Sequence, residues 1–526
     1  MFKLAVLSAM GGFLVLAAAE PTMAVGPGHI VVTTDRSVNC STLKTIADDV
    51  TKGCTTEQEK AIAVYNFLVR VLYMPYHSHR PLEMVDGRLV FANDPLKYIN
   101  VYGCCGCGPQ AGVVGALMEA AGFETRNLNP GFGHVSSEVK WGGKWHWLDI
   151  WLPAYVLDDK GEIYSYDEIM ADRSRFANAR KEGRSPGNFM VNYDADLQAV
   201  MNAKDYKPTG HGAYEQRYAE NLRLRPGESC TWLWDNVGKW YWPSGPYLGK
   251  EHLRGQFPCG PACKFVNDEV LTDVFGYWEP YKKIIEDGPH PWRNVYYRYY
   301  GNAIFEHAPP LTARGLADVD AKLTDLEFVE GGGLKLAGPP GGSLEIAFDL
   351  PYVIADTEIE GDADMGIGGA LSFCYSLDGG KSWLLGDEVK ASGAFGPISI
   401  GKPNCYEYPA GSTSGQYGFV LRVVFRSNSA KTPTVLKRLK VTNTTMLNFY
   451  SRPWLETGKN QVSVSVEEPQ VLAATPLEVT WRWLEDWTNP KSLTHKADKD
   501  NRSAVIDVGG TKRPKMQSVT IRCPAR

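Results

Sequence analysis

The chain has 526 residues, of which 44% are apolar and 22% charged, and a formal net charge of −5. This length exceeds one typical domain and predicts two to four, and the composition is that of an ordinary globular protein. With no basic excess, nucleic acid and anionic membrane surfaces are set aside as partners.

Met1-Phe2-Lys3 gives a short basic start, and Leu4 to Ala19 is apolar apart from Ser8 and two glycines. Roughly 16 apolar residues fall short of the ~20 needed to span a bilayer. Small residues at Ala17/Ala19 and Thr22/Ala24 suit a signal-peptidase cut. Residues 1–24 are therefore expected to be a cleaved signal peptide, leaving a secreted or periplasmic protein with no membrane partner. The eleven cysteines agree with an oxidising compartment, where most would pair and an odd count leaves one thiol over. Cys40 with Cys54 and Cys374 with Cys405 are the expected local pairs. Asn39-Cys40-Ser41, Asn443-Thr444-Thr445 and Asn501-Arg502-Ser503 match glycosylation acceptors.

A first helix is predicted over 56–72, opened by a Thr56/Glu59 capping box, with Ala61, Tyr65, Leu68 and Leu72 on one face. A second is predicted over 108–121, ended by Gly122 where a left-handed residue is wanted. Short strands follow at 123–128, 134–141 and 144–151. Helices followed by an antiparallel sheet make an α+β pattern, and residues 25–225 are assigned to this first domain. Residues 226–312 form an aromatic-rich connecting region, whose tryptophans (Trp232, Trp234, Trp240, Trp242, Trp278 and Trp292) read as core more readily than as a sugar-stacking platform. Alternating strands separated by Gly and Pro clusters predict a β-sandwich over 313–447, followed by a small C-terminal β unit over 448–526.

The chemistry concentrates in the first domain. In Gly103-Cys104-Cys105-Gly106-Cys107-Gly108-Pro109-Gln110-Ala111, Cys107 sits at the start of the second helix, with Pro109 in the first turn where its missing donor costs nothing. Unpaired amides and the macrodipole there favour a thiolate, which is the nucleophile, and the same amides can serve as an oxyanion hole. The segments His134 to Trp141 and Lys144 to Trp151 alternate around Gly142-Gly143, predicting a hairpin with a two-residue loop. Pairing Trp141 with Lys144 puts His134 and Asp149 on one face as diagonal neighbours, and one residue more or less in the loop would separate them. A thiolate enzyme needs such a base and such an orienting group.

These residues resemble the transglutaminase-like superfamily, whose core is similar to that of papain-type proteases. Its members show a Cys at a helix start, Ala four residues on and a Gly closing the helix, matched by Cys107, Ala111 and Gly122. They then show a His opening a strand, a Glu four residues later, Gly-x-Trp and an Asp, matched by His134, Glu138, Gly143, Trp145 and Asp149. The match spans residues 56–155, about a fifth of the chain. It departs at Ser136, where the family often has Trp, and in the cysteines that precede Cys107. The resemblance implies a papain-like catalytic domain with Cys107 as nucleophile, His134 as general base and Asp149 as its orienter, forming a thioester acyl-enzyme on amide bonds. The expected activity is that of a peptidase or amidase, with acyl transfer to an amine as the variant. The substrate would be a protein, peptide or peptidoglycan-like amide, and no cofactor or metal is implied.

Cys104, Cys105 and Cys107 lack the spacing of a zinc site. Hairpin parity turns His146 away from Asp149, and His77 and His79 fall in a loop. Glu138 reads as a supporting carboxylate. Ser376 to Trp383 looks like the Asp-box hairpin of sialidase-like propellers, but a propeller needs several copies and this is one. The rival from another class is a catalytically inactive extracellular scaffold that binds carbohydrate or protein.

Overall fold

The computed structural model describes residues 26–72, 81–85, 88–103, 105–129, 134–150, 155–182, 184–185, 207–209, 218–234, 237–241, 301–338, 341–403 and 408–526. The expected signal peptide, His77, His79, Cys104, Cys405, Trp242, Trp278 and Trp292 lie outside the described residues. The fold mixes helix and strand, is mostly β, and carries β-sandwich-like sheets. No described helix is long and apolar enough to cross a membrane.

The helix Glu57–Val71 begins as the sequence predicts. Thr56 Oγ1 accepts from the Glu59 N–H at 3.1 Å, and Glu59 Oε2 accepts from the Thr56 N–H at 3.0 Å. The helix Cys107–Ala120 closes at Gly122 (φ +94): the Phe123 N–H reaches Met118 O at 3.0 Å and the Gly122 N–H reaches Glu119 O at 2.9 Å. That is a Schellman end, and it needs the left-handed residue that glycine supplies without strain. Every residue from Pro109 to Met118 is buried, because the helix runs through the interior, packed against Leu43–Val50, Glu57–Val71 and two strands of a sheet.

That sheet is antiparallel, in the order Lys144–Leu148, Ser136–Trp141, Glu124–Asn129, Lys207–Thr209. Its hairpin pairs Trp141 with Lys144, Lys140 with Trp145, Val139 with His146 and Ser137 with Leu148. Gly142 and Gly143 both have positive φ (+57 and +80), the conformation a two-residue primed turn demands of both central residues.

The β-rich remainder is knitted from distant parts of the chain. Among the described residues, one sheet has ten strands. Eight run in the order Leu326–Phe328, Leu334–Leu336, Val435–Leu447, Gly301–His307, Glu228–Leu233, Lys515–Arg522, Leu477–Glu485, Asn489–Ala497; Ile354–Asp364 branches from Val435–Leu447 and carries Gly393–Ser399 on its other side. It therefore runs across the expected boundaries at 312/313 and 447/448. A five-stranded sheet lies against it and alternates strictly between buried and less buried positions along Gly341–Asp349 and Gly418–Arg426. The inward residues Leu344, Ile346, Leu421, Val423 and Phe373 are buried, and Phe373 meets Phe395 of the larger sheet at 5.4 Å between ring centroids. The early strand Val31–Thr34 pairs with Gly458–Ser465, far along the chain.

Trp232, Trp234 and Trp240 are buried, which is the core role expected of them. Cys40 and Cys54 are not joined. Cys40 is packed in the interior, its thiol donating to Val38 O at 3.6 Å, and burial pushes that thiol up to about 12. Cys107, Cys230, Cys374 and Cys523 are likewise unbridged. The Asn443 acceptor motif is unusable in the folded chain, since Asn443 is buried within a central strand, whereas Asn501 is exposed. Gly380 and Asp378 belong to a tight hairpin turn in which Asp378 accepts from the Lys381 and Ser382 N–H groups, and Trp383 packs under the Arg422 guanidinium at 3.5 Å.

Replacing Gly143 with valine forces a branched residue into positive φ. It is expected to destabilise the chain by about 1–2 kcal/mol, read as a lower urea midpoint at unchanged slope.

Candidate functional site

Cys107 is the first residue of its helix, behind an extended Gly106 N-cap that has no side chain to offer. As the first two residues of the helix, Cys107 and Gly108 have amides without intrahelical partners, and Pro109 sits where its missing N–H costs nothing. His134 stands two residues ahead of the strand Ser136–Trp141, and Asp149 follows directly on Lys144–Leu148. The hairpin register carries both to the same side of the sheet. His134 Nε2 lies 2.5 Å from Asp149 Oδ2, with side-chain exposures of only 4% and 1%. Cys107 is partly exposed. The structure thus brings together the three residues singled out from the sequence, and Cys107 is an unbridged thiol.

The electrostatics follow from this packing. Burial alone would push the Cys107 thiol up. The hydrogen bond and positive charge of His134, with the Val135 backbone N–H, outweigh burial and hold the thiol below its usual value. Burial likewise works against a charged His134. The Asp149 carboxylate, by charge and by hydrogen bond, and the Cys107 sulfur overcome it and push the imidazole up to about 10. Because Nε2 is committed to Asp149, Nδ1 is the ring nitrogen left to serve the sulfur. Both shifts favour the charged form of each group, the sulfur as thiolate and the ring as imidazolium.

Several further residues support the three. Gln110, one turn into the helix, donates from Nε2 to Cys105 O at 2.9 Å and ties down the loop that delivers Cys107. Ser137 Oγ reaches Ala111 O at 3.3 Å, joining helix to sheet. Ser136, where the resembled family often has Trp, accepts from Trp147 Nε1 at 3.0 Å. Trp147 fills a small separate core with Leu128, Tyr166 and Phe176. Buried hydroxyls in a strand carry little signal by themselves, and the i, i+3 spacing of Gln110 from Cys107 is the one clue that was available.

Glu138 supports the sheet rather than the reacting groups. It accepts from Arg126 Nε at 2.8 Å and from the Tyr166 N–H at 2.7 Å, which fixes the start of the helix Tyr166–Ala171. His146 faces away: its Nδ1 lies 2.7 Å from Ile163 O and its ring stacks on Trp141 at 3.5 Å. Among the described residues no group of three His, Cys, Asp or Glu side chains is placed to hold a metal.

No protein-family model matches the chain, and no curated protein matches it. Among solved structures it is similar to a β-glucuronidase from Ruminococcus gnavus in complex with a C6-substituted uronic isofagomine, at 9% identity and a TM-score of 0.13. That match covers 34% of this chain and 35% of the glucuronidase, so the chain spans about a third of its length. The pilus backbone protein RrgB from Streptococcus pneumoniae matches at 10% identity and a TM-score of 0.09, covering 38% of this chain and 83% of that one. Likenesses this slight assign neither family nor activity.

Proposed function

We propose that the chain is an extracytoplasmic cysteine amidase or peptidase with a transglutaminase-like, papain-like catalytic centre. The observation that carries this reading is His134 Nε2 at 2.5 Å from Asp149 Oδ2, beside a partly exposed thiol at a helix start that His134 holds below its usual value. The Cys107 thiolate attacks an amide carbonyl, and the oxyanion that forms is stabilised by amides at the helix N-terminus. The His134 imidazolium then gives its proton to the departing amine, leaving a thioester on Cys107. His134, neutral again, takes a proton from water as it attacks the thioester, and the acid and the thiolate are released. Asp149 holds the ring orientation and stabilises its charged form. An amine in place of water would make the same centre a transferase, and hydrolysis is favoured because no calcium loop or amine-acceptor site is evident in the sequence.

The experiment is a pH profile of Cys107 alkylation, followed by a turnover screen against peptides, proteins and peptidoglycan fragments. Alkylation is expected to proceed well below pH ~8, and labelling only above that range would sink the reading in favour of an inactive scaffold. Turnover is expected to vanish in Cys107→Ala and to fall by roughly 10²–10⁴-fold in Asp149→Asn.

The pH dependence has a definite sign. The folded chain keeps His134 charged up to about 10, against an ordinary value of 6.5. The stabilisation from its ion pairs is therefore complete below pH 6.5 and is lost as pH rises towards 10. Activity is expected to fall on the same alkaline limb, checked by parallel urea melts and rate profiles.

A further inference from the structure

The segment that delivers Cys107 is a tight π-helical turn, Tyr98–Tyr102, in which all five residues are buried. It closes with the Gly103 N–H on Tyr98 O at 2.8 Å, and Cys107 follows four residues after Gly103. Tyr98 and Tyr102 anchor the turn to Ala92 O and Glu83 nearby, but its middle is held from some 350 residues further along the chain. Asn448, buried where the long strand Val435–Leu447 ends, donates from Nδ2 to Ile99 O at 2.6 Å and to Val71 O at 2.8 Å. Its backbone N–H donates to Asn100 O at 3.0 Å. The same short element brings Arg452, whose Nη2 donates to Asn100 Oδ1 at 2.9 Å. Arg452 is in turn aimed by Glu220, whose Oε2 accepts from Nη2 at 2.8 Å, and by the Tyr352 hydroxyl, which accepts from Nη1 at 2.8 Å. Asn100 completes the arrangement by donating from Nδ2 to Cys40 O at 2.9 Å.

We propose that Asn448 and Arg452 are positioning residues for Cys107, acting through the turn Tyr98–Tyr102, so that the β-rich half of the chain sets the geometry of the nucleophile. This rests on Cys107 being the nucleophile proposed above. The physical reason is that a buried carbonyl needs a donor. Ile99 O receives its donor from the Asn448 side chain, and the next carbonyl, Asn100 O, from the Asn448 backbone N–H. Without the side-chain donor the turn would repack to satisfy Ile99 O, and the helix start would shift relative to His134. Displacements of an ångström are enough to weaken a thiolate–imidazolium contact.

The test uses the full chain and reads Cys107 alkylation by iodoacetamide against pH, alongside urea unfolding. Asn448→Ala is expected to move the alkylation midpoint upward by about one pH unit, with labelling at acidic pH about tenfold slower. Arg452→Lys keeps a cation near Glu220 but loses the fork that reaches Asn100, and is expected to shift the midpoint the same way by less. Asn460→Ala is the comparison. Its buried Nδ2 donates to Glu456 O and Gly458 O at 2.8 Å, within the C-terminal β region. It is expected to lower stability while leaving the midpoint where it was. A wild-type midpoint in Asn448→Ala, or an equal shift in Asn460→Ala, overturns the inference. If Asn448→Ala does not fold, Asn448→Ser and Arg452→Lys carry the same expectation. If none of the three folds while Asn460→Ala does, the contacts are structural alone and the inference is likewise overturned. An unmodified chain that labels only at alkaline pH counts instead against Cys107 as the nucleophile.

Discussion

Trp141 pairs with Lys144 across Gly142-Gly143, and that pairing decides which side of the sheet every residue from His134 to Asp149 occupies. Side chains alternate along a strand, so a slip of one residue would send the imidazole and the carboxylate to opposite faces. The turn resists such a slip because both of its residues hold positive φ, which glycine accepts at little cost. From that register follow the 2.5 Å contact between His134 and Asp149 and the high imidazole. The lowered thiol across the ring follows in turn. The helix contributes the sulfur, but the hairpin determines what the sulfur faces.

The centre is also a case of burial opposed by pairing. Removing His134 from water disfavours its charge, and the Asp149 carboxylate in direct contact, with the Cys107 sulfur, reverses that preference. At Cys40 the same desolvation wins: Arg452 and Arg70 favour the thiolate, but burial still drives the thiol up to about 12. Two cysteines in one chain thus shift in opposite directions through their neighbours. Cys107 combines partial exposure, a helix start and a charged ring.

What could be read from the sequence was local. The Thr56/Glu59 box, the Schellman end at Gly122 and the Gly-Gly turn each depend on residues a few positions apart, and each is found where it was expected. Parity along the two strands then carried the reading from turn to site, including the orientation of His146 away from Asp149. What could not be read was long-range. Nothing near Val31–Thr34 announces its pairing with Gly458–Ser465. Nor does alternation in Glu228–Leu233 reveal that it lies between Gly301–His307 and Lys515–Arg522. Asn100, Asn448 and Arg452 are silent for the same reason: a buried polar side chain is recognisable only once the distant groups it satisfies are known. The disulfide expected between Cys40 and Cys54 failed because spacing takes no account of which thiol the core encloses.

The charge state of Cys107 in the folded chain is the most direct test. Thiolate ultraviolet absorbance, taken as the difference between the chain and its Cys107→Ser variant, should be present at neutral pH and disappear only on acidification below the ordinary thiol range. A difference signal that first appears on approaching pH 9, as for an unassisted thiol, would contradict a sulfur held charged by His134 and Asp149.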